Sequence, residues 1–232
     1  DCYYAWIKLT NEIISRASAM NLEDDAEVRD YLGQAYAYRA MCYLDLARLY
    51  TPKQNSLAPV SEDVLNLTVP IVDENTDEEK AKNNPRATIE ELYEFILSDL
   101  AKAQELLEDE NDYYNSAFFT KAAAHAINAR VALYMQDWEE AVAQSSKVID
   151  NEYGGFELAT TSMYSGGMTY LDYLWNYDSS FEIIWKIGYT QTSYGYPTGS
   201  VFLNFTNDYT YYYPEGVIPA SEYESNYENQ TT

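Results

Sequence analysis

Tyrosine is the residue type in this chain with the most recognition chemistry to offer. The chain has 25 tyrosines in 232 residues, and 14 of the 25 fall within residues 151–232. A tyrosine side chain presents a flat apolar face and a hydroxyl, which suits a surface that must be adhesive and hydrated at once. Two clusters, Tyr194-Gly195-Tyr196-Pro197 and Tyr211-Tyr212-Tyr213-Pro214, carry the Gly and Pro signals of loops. A sugar displays C–H faces and hydroxyls, and a protein holds it by ring stacking together with hydrogen bonds. Tyrosine supplies both.

Other reactive chemistry is thinner. With 38 acids in the chain, a carboxylate pair for glycosidic cleavage can be drawn almost anywhere, so such pairs decide nothing. His125 is the single histidine; one imidazole builds neither a His-based metal site nor a persuasive triad, and its Ala-rich surroundings read as packing. Gly-x-Ser-x-Gly, Walker, His-Glu-x-x-His and Cys-x-x-Cys patterns are all missing from the sequence. The acidic run 73–79 lacks the Gly that an EF-hand turn requires and reads as a solvated loop. Cys2 and Cys42 make no disulfide framework; they read as a terminal thiol and a helix-buried thiol. Neither a cofactor nor a metal is implied.

The formal net charge of −24 repels phosphate backbones and anionic lipid surfaces, which excludes nucleic acid and electrostatic membrane binding. A hydrophobic fraction of 47% is too high for a disordered acidic tail. The longest apolar stretch, 35–50, is interrupted by Arg39, Asp45 and Arg48 and is no membrane span. These three polar residues read as structural groups, with Asp45 and Arg48 spaced to pair. The opening residues contain no basic region of a signal peptide.

The elements that must position the tyrosines are mostly helical. Apolar spacing of three and four predicts a helix over residues 3–20, with Tyr3, Trp6, Ile7, Ile13, Ile14 and Ala17 on one face. A second helix, 26–50, is apolar nearly all round and therefore has neighbours on several sides. Residues 51–87 form a long insertion with four prolines, a length that marks a functional loop or one pinned to the surface. Thr88-Ile89-Glu90-Glu91 is a capping box opening a strongly periodic helix. A small-residue helix over 120–135 follows, closed by Gln136. A helix from Asp137 to about residue 150 comes next, with Trp138, Ala141, Val142, Val148 and Ile149 expected inward. After Gly154-Gly155 helical periodicity fades, and a strand is predicted over 181–189. The fold expected is mainly α: tetratricopeptide-like stacked helix hairpins over 1–150, and an irregular, aromatic-rich, ligand-facing segment with few short strands over 151–232. The hairpins would pair 26–50 with 88–108, and 120–135 with 137–150.

The order and wording of these helices resemble the SusD/RagB family of outer-membrane nutrient-binding lipoproteins. The segments that carry the resemblance are Tyr4-Ala5-Trp6-Ile7 through Asn11-Glu12-Ile13-Ile14; Ala35-Tyr36-Ala37-Tyr38-Arg39-Ala40 through Leu49-Tyr50; Arg86-Ala87-Thr88-Ile89-Glu90-Glu91-Leu92-Tyr93 with Asp99-Leu100; Thr120-Lys121-Ala122-Ala123-Ala124 through Tyr134; and Glu182-Ile183-Ile184-Trp185. The resemblance implies a non-catalytic glycan- or nutrient-binding subunit. It would sit on a SusC-like TonB-dependent transporter at the outer face of the outer membrane. It would be held there by a lipid anchor outside this chain, since Cys2 adjoins the first repeat helix. It also implies that an aromatic residue after the post-repeat strand contacts glycan. Tyr194 occupies that place, followed by Tyr196 and then Tyr211, Tyr212 and Tyr213. The competing readings are a tetratricopeptide adaptor that binds peptide and, behind it, a glycoside hydrolase.

Overall fold

The computed structural model describes residues 2–22, 25–53, 59–108, 118–150, 155–177 and 182–186. All of these lie in the first of two units into which the chain divides, Asp1–Lys186. Its principal helices are α1 (Cys2–Ala19), α2 (Ala26–Tyr50), two short helices in the insertion, α3 (Glu62–Leu65) and α4 (Glu78–Lys82), then α5 (Ile89–Leu106), α6 (Lys121–Met135) and α7 (Trp138–Ile149). A small antiparallel hairpin of β1 (Met163–Ser165) and β2 (Met168–Thr169) leads into α8 (Tyr170–Tyr177).

The expected caps define the helix ends. Asp25 accepts the amides of Glu27 and Val28 at the start of α2. The Thr88–Glu91 capping box is present in both directions at α5. Thr120 and Asp137 open α6 and α7 by accepting the amides of Ala123 and Glu140. Gln136, at φ 62°, ends α6 in the left-handed conformation that lets the chain reverse into α7.

Helix α2 is the central element. It packs lengthwise on α5 and also contacts α1 and α6, while α6 packs on α5 and α7. The helix pairs expected from the sequence, α2 with α5 across the insertion and α6 with α7, both form. The main core joins Ile7, Ala40, Tyr43, Leu44, Leu92, Ile96, Leu100 and Val131. A second cluster sets Ala37 of α2 and Ala123 and Ala124 of α6 against Phe119, with Ile184 and Trp185 packed on it. The small residues of α6 are buried, as close helix approach demands. Cys42 is buried and its thiol is pushed up to about 12 by burial and by Asp45; Cys2 is exposed.

Three expectations are corrected. In α7, Ala141, Gln144 and Val148 form the buried side, whereas Trp138, Val142 and Ile149 stand 62%, 65% and 71% exposed. The helix is amphipathic, but its second apolar stripe faces outward on the last helix of the described stack. In α1, Trp6 and Ile13 are partly exposed, and the inward positions between Ile7 and Ile14 belong to Thr10 and Asn11. Residues 182–186, the described part of the predicted strand, are not a strand; instead Trp185 lies flat on Phe119 at 4.6 Å between ring centroids. Local signals did exist for the β1–β2–α8 unit. Gly166 and Gly167, at φ 61° and 86°, are the two positive-φ residues that a tight hairpin turn needs. Thr169 and Asp172 cap α8 reciprocally.

Gly33 sits where α2 meets the end of α5. A Cβ there would lie 2.7 Å from Leu107 Cγ and 3.1 Å from the Leu107 backbone nitrogen. An exposed helical Gly→Ala change gains about 1 kcal/mol, but overpacking a filled core costs about 1–3 kcal/mol. Gly33→Ala is therefore expected to lower the denaturant midpoint; an unchanged or raised midpoint would show that Leu107 yields freely.

Candidate functional site

The polar chemistry of the described unit converges on Arg39. Its side chain is 1% exposed, at the middle of α2. The guanidinium grips Asp99 of α5 with two bonds, Nε to Oδ2 at 2.7 Å and Nη2 to Oδ1 at 2.8 Å. Its Nη1 donates to Asn11 Oδ1 of α1 and to Glu74 Oε2 of the insertion, both at 2.6 Å. The rings of Phe95 and Tyr36 flank it at 5.0 and 5.4 Å. One cation thus joins three helices and a loop. Two carboxylates raise the Arg39 guanidinium even against the downward pull of its burial. Burial pushes the Asp99 carboxyl up, opposed by Arg39 and Lys102. The geometry, a bidentate fork with a third and fourth acceptor satisfied, is that of a structural keystone.

Residues 68–72 and 84–86 of the insertion are pinned beside this centre. The Tyr43 hydroxyl donates to Val72 O at 3.0 Å and accepts from Val72 N at 2.7 Å. Tyr4 donates to Pro70 O at 2.7 Å, and Asn11 Nδ2 to Val72 O at 3.0 Å. Burial pushes the Tyr4 phenol up to about 12 and raises that of Tyr43. Arg86 Nε donates to Thr68 O at 2.6 Å and Asn84 Nδ2 to Ile71 O at 2.6 Å. The acidic run is accordingly more than a solvated loop: Glu74 reaches Arg39, and Asp73 closes a turn by accepting Thr76 Oγ1 at 2.6 Å and the Asn75 amide at 3.1 Å. No group of three or more metal-capable side chains occurs among the described residues.

His125 is buried, with Nδ1 2.5 Å from Gln144 Oε1, and is part of the packing. Asp45 and Arg48 form a 3.2 Å pair, partly exposed, on α2. No described helix is long and apolar enough to cross a membrane.

On the other side of α1 lies an aromatic groove of about 580 Å³, walled by Trp6, Leu9, Ile13, Tyr31, Tyr38 and Phe118 among others. Edge-to-face contacts run from Tyr3 to Trp6, Tyr38 and Phe119 at 5.4, 6.2 and 6.0 Å, and the Trp185 stack extends them. Polar groups at its edge are spent internally. Gln34 donates to Phe119 O and accepts from Phe119 N, both at 2.8 Å, and Thr10 Oγ1 donates to Ile7 O. The groove offers mainly ring faces and aliphatic surface. The five tyrosines nominated for ligand contact, Tyr194, Tyr196, Tyr211, Tyr212 and Tyr213, lie outside the described residues. Sequence reading missed Asn11, Glu74 and Asp99 as partners of Arg39. The available signal was a polar residue at core spacing: Asn11 between Ile7 and Ile14, and Asp99 between Ile96 and Ala103.

Comparison with known proteins matches these helices. A SusD-like family model, described as starch-binding associating with outer membrane, matches residues 1–133. SusD-like protein P2 of Formosa agariphila is 31% identical over 149 residues, 64% of this chain and 26% of that protein. A candidate sugar-binding protein from Bacteroides vulgatus superposes with a TM-score of 0.61 at 26% identity, over 82% of this chain and 40% of its own. A SusD superfamily protein from Bacteroides thetaiotaomicron gives 0.56 at 26% identity, over 67% and 32%. The chain therefore spans between about a quarter and two fifths of the length of these relatives.

Two predictions follow from the Arg39 centre. Asp99→Leu strands a buried guanidinium and is expected to cost about 3–5 kcal/mol, whereas Glu74→Gln, at the one-fifth-exposed edge, costs less and chiefly speeds limited proteolysis within 60–85. Equal losses of melting temperature for the two would contradict the keystone arrangement. Asp73 is held below its ordinary value of 3.8: burial would raise it, but hydrogen bonds from Thr76 and Asn75 and the charge of Arg39 outweigh that. A depressed folded-state value means that its contribution is present above pH 3.8 and is lost as pH falls through the lower folded value. The protection factor of the Asn75 amide, taken against the intrinsic rate at each pH, should therefore fall only below that range; a fall already at pH 5 would assign the change to another group.

Proposed function

The chain belongs to the SusD-like family, and on that premise we propose that it forms the helical scaffold of a non-catalytic glycan-binding protein at the bacterial outer membrane. The bound oligosaccharide or related nutrient is handed to a SusC-like TonB-dependent transporter. Attachment is by a lipid anchor. The observation that carries the reading is the family match across 1–133, which coincides with the helix stack built around Arg39. The sugar-binding assignment of the Bacteroides vulgatus relative and the starch-binding description of the family agree with it. So does the density of tyrosine in 151–232, a composition suited to sugar faces and hydroxyls.

Ligand contact is assigned to Tyr194 first, then Tyr196, with Tyr211, Tyr212 and Tyr213 beside them. Capture without turnover asks only that rings and hydroxyls meet the glycan, and demands no carboxylate pair at a cleavage distance. Tyr194→Ala is expected to weaken oligosaccharide binding about threefold to tenfold, the worth of one aromatic contact, with the melting temperature unchanged. Calorimetric titration of both proteins with a glycan chosen from an array reads this out. Unaltered affinity would remove Tyr194 from the site, and release of reducing ends during the titration would replace capture by hydrolysis.

A further inference from the structure

We propose that the helical unit carries a second binding site, for a neutral, hydroxyl-rich molecule the size of a single sugar ring, in the cavity between α1, α2 and the 73–76 turn. The cavity holds about 330 Å³, at the lower end of the range for small-ligand pockets. Its wall combines two kinds of surface. Ile14 and Leu32 supply an apolar floor, and Ser15, Ser18, Glu74 and Asn75 supply hydroxyl, carboxylate and amide groups. Ser15 and Ser18 are three apart on α1 and share a face.

The wall is held by bonds within the protein. Glu74 is tied through Oε2 to the buried Arg39 at 2.6 Å, which fixes the side chain and leaves further acceptor positions on it. The turn that presents Glu74 and Asn75 is closed by Asp73 and Thr76. A preformed wall spares the ligand an ordering cost. A carboxylate that accepts hydroxyl protons, beside hydroxyl and amide groups that donate and accept, matches neighbouring ring hydroxyls. The apolar floor matches the C–H face of the same ring. An anion is disfavoured, because the lining includes Glu74 and no Lys or Arg. A wholly apolar ligand would leave the serine, amide and carboxylate groups desolvated and unpaired. The aromatic groove on the other side of α1 lacks this polar half and does not compete for the same ligand.

This site is independent of glycan capture at Tyr194, and its test separates the two. The 232-residue chain, labelled for amide NMR, is titrated with a panel of neutral pentoses and hexoses and with glucuronate. At least one neutral sugar is expected to shift the amides of Ser15, Ser18, Glu74 and Asn75 with a Kd on the order of millimolar. Ser18→Trp, a change at an exposed helix position that fills the cavity, should weaken it at least about tenfold with an unchanged melting curve. Glucuronate should bind more weakly, and Tyr194→Ala should leave these shifts intact. The proposal is overturned if no neutral sugar moves these amides, if Ser18→Trp binds as the parent does, or if glucuronate binds best. Loss of the shifts in Tyr194→Ala would overturn it too, by assigning them to the other site.

Discussion

A single guanidinium at the centre of α2 makes the rest of this unit possible. Placing Arg39 at 1% exposure would be prohibitive without partners, since a buried charge left unpaired costs several kcal/mol. The fold meets that demand with one residue from each surrounding element: Asn11 from α1, Asp99 from α5 and Glu74 from the insertion. The requirement is mutual. Apolar packing among Ile7, Leu92, Ile96 and Leu100 is non-directional and would tolerate sliding of one helix along another. A fork of bonds at 2.7–2.8 Å fixes the register of α5 on α2. Hydrophobic burial supplies the drive to associate, and the buried ion pair selects which association.

The same logic explains how the described part of the insertion between α2 and α5, residues 59–87, is held against the helices. Its backbone carbonyls would be unsatisfied against the helices, yet Pro70, Ile71, Val72 and Thr68 each receive a side-chain donor. Two of the donors, Tyr4 and Tyr43, are themselves part of or packed on the main core. In α1 and α2 the hydroxyls of Tyr4 and Tyr43 tie the backbone of the insertion to the core, and such a residue is not available to a ligand.

What could be read from the sequence divides along physical lines. Helix existence and pairing were legible because three-and-four spacing and caps such as Thr88–Glu91 act locally. The structural role of Arg39 was legible because it interrupts the apolar stretch 35–50 near the middle of the helix, where a charge must be paired if it is buried. Its partners were not, because Asn11, Glu74 and Asp99 are separated from it by 28, 35 and 60 positions, and no local rule joins them. The phase of α7 failed for a related reason. Ala141–Val148 and Trp138–Ile149 are both apolar stripes, and only the position of α6 decides which is covered. The expectation of a strand failed over 182–186 because the contact that Trp185 makes, a stack on Phe119, is long-range and has no local signature in the sequence.

The candidate site is where local reading reaches least far. In the aromatic groove Gln34 and Thr10 direct their hydrogen bonds into the protein, and most of the wall is apolar or aromatic. Selectivity for a hydroxylated ligand requires polar groups whose hydrogen-bonding capacity is not exhausted by the fold. Arg39 illustrates how a structural interaction can leave such capacity behind. It consumes one oxygen of Glu74 and both of Asp99, so that the carboxylate at the rim keeps acceptor positions while the one at the centre is fully committed. The same cation that locks the helices together thereby holds a rim carboxylate in position facing a cavity, and a scaffold built for rigidity becomes a surface capable of chemical discrimination.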